Sequence, residues 1–85
     1  MYEIYFTKQA QKDYALIKRA GFGDKVNKLL KIIRENPYQN PPMYEKLAGI
    51  ENYYSRRINQ QHRLVYEVIE KKIKVHQLWT HYENM

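Results

Sequence analysis

Tyr53-Tyr54-Ser55-Arg56-Arg57-Ile58 and His62-Arg63-Leu64-Val65-Tyr66-Glu67-Val68-Ile69 decide the fold. β-branched and aromatic residues dominate both runs, and a polar turn near Asn59-Gln60 separates them. They read as strands over 53–58 and 62–69. A third run, 73–79, follows the turn at Glu70-Lys71-Lys72. Such short connections permit only antiparallel pairing, so the C-terminal half is a meander. Alternation in the middle strand sends Leu64, Tyr66 and Val68 to one face and Arg63, Val65 and Glu67 to the other. The first set needs a cover. Arg63 then stands on the open face, where an anion can reach it.

The N-terminal half supplies the cover. Residues 2–6 alternate as a short strand. Thr7 is a suitable N-cap for a helix running to about Arg19, with Ala10, Tyr14 and Ile17 on one stripe. Gly21-Phe22-Gly23 interrupts it, and Asp24 is expected to cap a second helix. In that helix Val26, Leu29, Leu30 and Ile33 fall at i, i+3, i+4 and i+7, and Asn36-Pro37 ends it. Asn40-Pro41-Pro42 is a stiff connector. The expectation is an α+β fold in one domain, residues 1–85: a small twisted antiparallel sheet, an N-terminal strand, and a two-helix hairpin on one face.

Composition narrows the function. The 85 residues hold 15 Lys and Arg against 9 Asp and Glu, a net charge of +6. On so small a chain this fits a polyanionic partner, nucleic acid first. There is no cysteine, which removes disulfides, thiolate catalysis and Cys-based zinc sites. No signal-peptide core or membrane-length apolar run is present, so a cytoplasmic protein with no membrane partner is expected.

Basic and aromatic residues crowd the C-terminal half, ending in Trp79-Thr80-His81-Tyr82. Guanidinium forks grip phosphate and aromatic faces stack on unpaired bases, a pattern suited to single-stranded RNA. A half-buried sheet also favours tyrosine for packing alone. Cutting RNA without a metal needs a base for the 2′-hydroxyl, a cation for the phosphorane and an acid for the 5′-oxygen. Glu45, Arg63 and His81 are the right types; Arg63 stays protonated and serves only as the cation. His76, His81 and Glu83 have no standard metal-ligand spacing, and no cofactor loop is present, so neither metal nor cofactor is expected.

Tyr54-Ser55-Arg56-Arg57-Ile58, His62-Arg63-Leu64-Val65-Tyr66 and the closing His81-Tyr82 resemble the YoeB/Txe toxins of the RelE/ParE superfamily. Glu45-x-Leu47-x-Gly49 resembles the segment that precedes that block in the family. The resemblance implies a ribosome-associated endoribonuclease that cuts mRNA in the decoding site, without a metal. It also implies neutralisation by a YefM/Axe-type antitoxin, operator DNA binding only as the toxin–antitoxin complex, and a homodimer. By position it makes Glu45 the general base, Arg63 the phosphate stabiliser and His81 the general acid. Tyr82 and Arg57 would contact substrate; Arg56 is a further substrate-binding candidate of opposite parity to Arg57, and Lys46 could in part replace a family lysine missing here, although its side chain should point elsewhere.

The sequence departs from the family in three places. Ala48 stands where many relatives have lysine, Tyr53-Tyr54 replaces Phe-Trp, and Glu83-Asn84-Met85 follows the His-Tyr pair. Glu83 would favour protonated His81. Two other functions fit the same superfamily or charge: a gyrase-poisoning toxin that cuts nothing, and a plain nucleic-acid-binding module.

Overall fold

The computed structural model describes residues 1–79. Seven elements follow in order: β1 (Glu3–Phe6), α1 (Lys8–Arg19), α2 (Gly23–Glu35), β2 (Tyr44–Lys46), β3 (Tyr53–Arg57), β4 (Arg63–Ile69) and β5 (Lys72–Gln77). The five strands form one sheet in the order β1-β5-β4-β3-β2. The expected meander is β3, β4 and β5, all antiparallel. Two features lie outside the expectation. β1 runs parallel to β5, with Ile4 opposite Ile73 and Phe6 opposite Val75, so the sheet is mixed. The segment after the prolines is itself a strand, β2, antiparallel to β3.

Local chemistry explains the helix ends. Thr7 accepts from the Ala10 amide at 3.0 Å, the N-cap its position predicts. α1 closes in a Schellman turn: the Phe22 amide donates to the Ile17 carbonyl and the Gly21 amide to Lys18. Gly21 holds φ +93°, a conformation costly for any other residue. Asp24 is not the cap of α2. The helix starts at Gly23 after Phe22, which makes no side-chain cap bond, and Asp24 lies in the first turn, where its negative charge is stabilised by the positive end of the helix dipole.

The core lies between the hairpin and one face of the sheet. Ala10 and Ile17 of α1 and Val26, Leu29 and Ile33 of α2 meet Leu64, Tyr66, Val68, Ile73 and Val75. The parity read from β4 is the parity found. The opposite face is polar, with Glu45, Ser55, Arg57, Arg63, Glu67 and Lys74 brought onto it by register.

Arg56 is the largest correction. It was expected to contact substrate, yet it is fully buried on the helix-covered side, beside Leu64 in register. It makes four hydrogen bonds inside the protein. Nη1 donates to the Pro42 carbonyl at 2.7 Å, Nη2 to Pro37 at 3.1 Å and Gln39 at 2.9 Å, and Nε to the Tyr66 hydroxyl at 3.1 Å. Tyr66 donates in turn to the Pro37 carbonyl at 2.7 Å. Burial pushes the Tyr66 phenol up from its ordinary value, and the Arg56 charge opposes that only in part, so it remains a donor. The guanidinium also lies over the Tyr44 ring, 5.0 Å from its centroid. One side chain thus pins the connector 37–42 to the sheet. Arg56→Met, which leaves these carbonyls unpaired, should lower stability by at least about 3 kcal/mol, read as a shift in the urea midpoint.

Candidate functional site

β2 brings Glu45 onto the open face, opposite Ser55 of β3. Arg63 starts β4, one strand further on. Its guanidinium reaches back across β3, and Nη1 meets Glu45 Oε1 at 2.5 Å. Ser55 makes this reach possible. Its short side chain is buried beneath the pair, and its hydroxyl accepts from Arg63 Nη1 at 3.4 Å. A larger residue would fill the space the guanidinium crosses. In the sequence Ser55 stands out only as a member of the Tyr54-Ser55-Arg56-Arg57-Ile58 block; its parity with Glu45 becomes legible once β2 is known to be a strand.

The Glu45 side chain keeps 60% of its exposure while that of Arg63 keeps 22%. The carboxylate is therefore the partner freer to move. A groove of about 340 Å³ runs beside the pair, lined by Lys25 and Leu29 of α2, Pro42, Met43, Tyr44, Glu45, Ser55, Arg56, Arg57 and Arg63. Lys25, a helix residue that sequence patterning treats as solvated surface, adds a cation to this rim. A larger cleft of about 830 Å³ lies at the other sheet edge, between β1 and α2. It lacks a comparable carboxylate–guanidinium pair, so the groove beside Glu45 is the candidate site.

The other expected residues divide. Arg57 lies opposite Arg63 in register and is exposed on the same face. Lys46 does not join them: it lies opposite Tyr54, with the reverse parity to Glu45, and borders a separate depression with Leu47 and Ala48. Alternation along β2 forces that separation. Arg56 borders the groove from within but is fully buried, its guanidinium bonded to the connector and Tyr66. His81 and Tyr82 lie outside the described residues.

The approach to those two residues is fixed by a carboxylate that sequence patterning missed. Asp13, in the middle of α1, is 1% exposed. Its Oδ2 accepts from the amides of Leu78 at 3.0 Å and Trp79 at 3.2 Å, and its Oδ1 from Gln9 Nε2 at 2.8 Å. The Trp79 ring stacks on His62, 4.0 Å between centroids. Asp13 therefore clamps the backbone two residues before His81. Among the described residues no three His, Asp or Glu side chains are grouped to hold a metal ion, and no helix is long and apolar enough to cross a membrane.

The profile of the YoeB-like toxins of bacterial type II toxin–antitoxin systems matches residues 6–82. The chain belongs to this family. A Toxin YoeB from Synechocystis sp. is 35% identical over 74 residues, 86% of this chain and 79% of that protein. The YoeB dimer from Staphylococcus aureus superposes with a TM-score of 0.83 at 39% identity, covering 95% of this chain and 98% of that one. The YoeB–YefM complex from the same organism gives 0.80 at 38% identity, covering 96% and 99%. Family membership makes this chain a type II toxin.

The two carboxylates should behave differently on removal. Glu45→Gln breaks an open pair and should change stability by less than about 1 kcal/mol. Asp13→Ala orphans two amides and should cost about 1–3 kcal/mol. Urea midpoints of the two variants beside the parent check both.

Proposed function

We propose that this toxin is a metal-independent, ribosome-associated endoribonuclease that cleaves mRNA by attack of the 2′-hydroxyl. The single observation that carries the reading is the Glu45–Arg63 pair across Ser55 on the open face. A proton acceptor and a phosphate-binding cation stand within one hydrogen bond of each other, beside a basic groove. At rest each neutralises the other. A phosphodiester entering the groove competes for the Arg63 fork, because guanidinium binds phosphate bidentately. Glu45, being the more exposed, swings clear and takes the proton from the 2′-hydroxyl as its oxygen attacks phosphorus. Arg63 holds the charge of the pentavalent phosphorane, aided by neighbouring Arg57. His81 gives a proton to the departing 5′-oxygen. The products are a 2′,3′-cyclic phosphate and a 5′-hydroxyl end. Tyr82 stacks on a substrate base.

The partner assignments belong to the same proposal. The Staphylococcus aureus relatives occur as a YoeB dimer and as a YoeB–YefM complex. This toxin is read as forming a homodimer and as being neutralised by an antitoxin of the YefM/Axe kind, with operator DNA bound only by the complex.

In a translating-ribosome extract with 5′-end-labelled mRNA, the protein should produce codon-spaced cuts with 5′-hydroxyl ends. Arg63→Ala and His81→Ala should each abolish growth arrest on overexpression and still bind the antitoxin. Equal toxicity of all three proteins, or relaxed plasmid in a gyrase supercoiling assay without any RNA cuts, overturns the nuclease reading. EDTA should leave cleavage by the purified protein on naked RNA unchanged.

A further inference from the structure

A second polar cluster lies on the open face, and the chemistry above does not use it. Tyr53 of β3, Glu67 of β4 and His76 of β5 stand side by side across three strands. His76 Nε2 and Glu67 Oε1 are 2.9 Å apart. The Tyr53 ring stacks on the imidazole, 4.9 Å between centroids and 23° between planes. Burial pushes the Tyr53 phenol up, and the charge of Glu67 and a hydrogen bond to it add to the shift, so the hydroxyl remains a donor to that carboxylate. Glu67 thus braces both rings.

The backbone contributes to the same arrangement. Tyr66 pairs with Val75 while Val65 pairs with Gln77, so His76 is the extra residue of a bulge. Bulges interrupt a ladder and re-aim a side chain, and they concentrate beside functional sites. This one sets His76 against Glu67. The cluster fills no core, since it lies on the face away from the helices. Its members are half-buried, with 25% and 22% of the His76 and Glu67 side chains exposed. Arg63 stands two same-face positions along β4 from Glu67, a distance of about 13 Å. Lys74 lies opposite Glu67 on the next strand.

We propose that Tyr53 and His76 form a stacking platform for an unpaired nucleobase flanking the scissile linkage, with Glu67 as the brace that fixes both rings. The proposal rests on the ribonuclease reading for the identity of its ligand. Two rings held nearly parallel before binding lose little freedom when a base stacks on them, and this preorganisation is what makes an aromatic surface effective. Arg63 and Lys74 on either side hold the backbone phosphates of the same strand while the base lies on the outer face of the stacked pair. Stacking accepts any base, so the platform adds affinity and registers the strand without reading its sequence.

Binding of a fluorescein-labelled 2′-O-methyl oligoribonucleotide, which cannot be cleaved by 2′-attack, is followed by anisotropy over a range of salt. His76→Ala and Tyr53→Leu should each weaken binding by about 5- to 150-fold, the range for one stacked base, with the salt slope unchanged. Arg63→Ala should instead make the slope shallower. His76→Phe restores a ring face and should recover most of the loss, which also guards against a folding defect in the alanine variant. An abasic nucleotide moved along the oligonucleotide should weaken parent binding at one flanking position, and at that position add nothing to His76→Ala. Parent-like binding by both variants, additive losses at every position, or no binding by the parent overturns the platform. Cleavage of matching mRNA by the parent is read separately. Cutting without any His76 dependence removes the platform alone, whereas His76-dependent binding without cutting removes the nuclease and leaves the platform.

Discussion

The structure depends on a cation that has no carboxylate partner among the described residues. Arg56 sits fully buried and is satisfied by three backbone carbonyls and one phenol, all supplied by or tied to the segment from Pro37 to Pro42. Burying a charge is tolerable only when its hydrogen bonds are made, so the connector can follow one path. That path delivers Tyr44–Lys46 to the edge of β3. Without it the carboxylate of Glu45 would have no fixed relation to a guanidinium two strands away. A residue that touches no substrate therefore determines where the acidic half of the site stands.

Much of the fold was legible in the sequence because period and burial agree. Leu64, Tyr66 and Val68 alternate with polar partners, and the heptad-like run from Val26 to Ile33 leaves no other face for α2. The Thr7 cap and the Gly21 stop are local chemistry and were equally readable. Two buried charges were not legible because polar residues read as surface. Arg56 and Asp13 are charged and are among the most buried side chains, because each organises backbone groups distant in sequence. β2 is three residues long, too short for alternation to register, and it follows a connector that Arg56 holds from a distance in sequence. The parallel placement of β1 beside β5 is a long-range choice that no local pattern records.

The site was legible in part. Parity placed Arg63 and Arg57 on the open face, and the structure brings Arg63 to Glu45. Parity also separates Lys46 from that pair, once β2 is recognised as a strand. Arg56 and Arg57, adjacent and chemically alike, have opposite fates because a strand sends neighbours to opposite faces. Parity put Glu67 on the open face, but its meeting with His76 was not legible, since it requires a bulge that shifts register by one residue.

The pairing of β1 with β5 joins the beginning of the chain to its other end: Glu3 faces Lys72 and the Thr7 amide donates to the Val75 carbonyl. During synthesis β1 has no neighbouring strand until β5 has emerged. Contacts of such sequence separation form late and slowly. A nascent chain cannot complete this sheet while its last strand is still inside the exit tunnel. The connectivity thus makes closure of the β1 edge of the sheet wait on synthesis of β5.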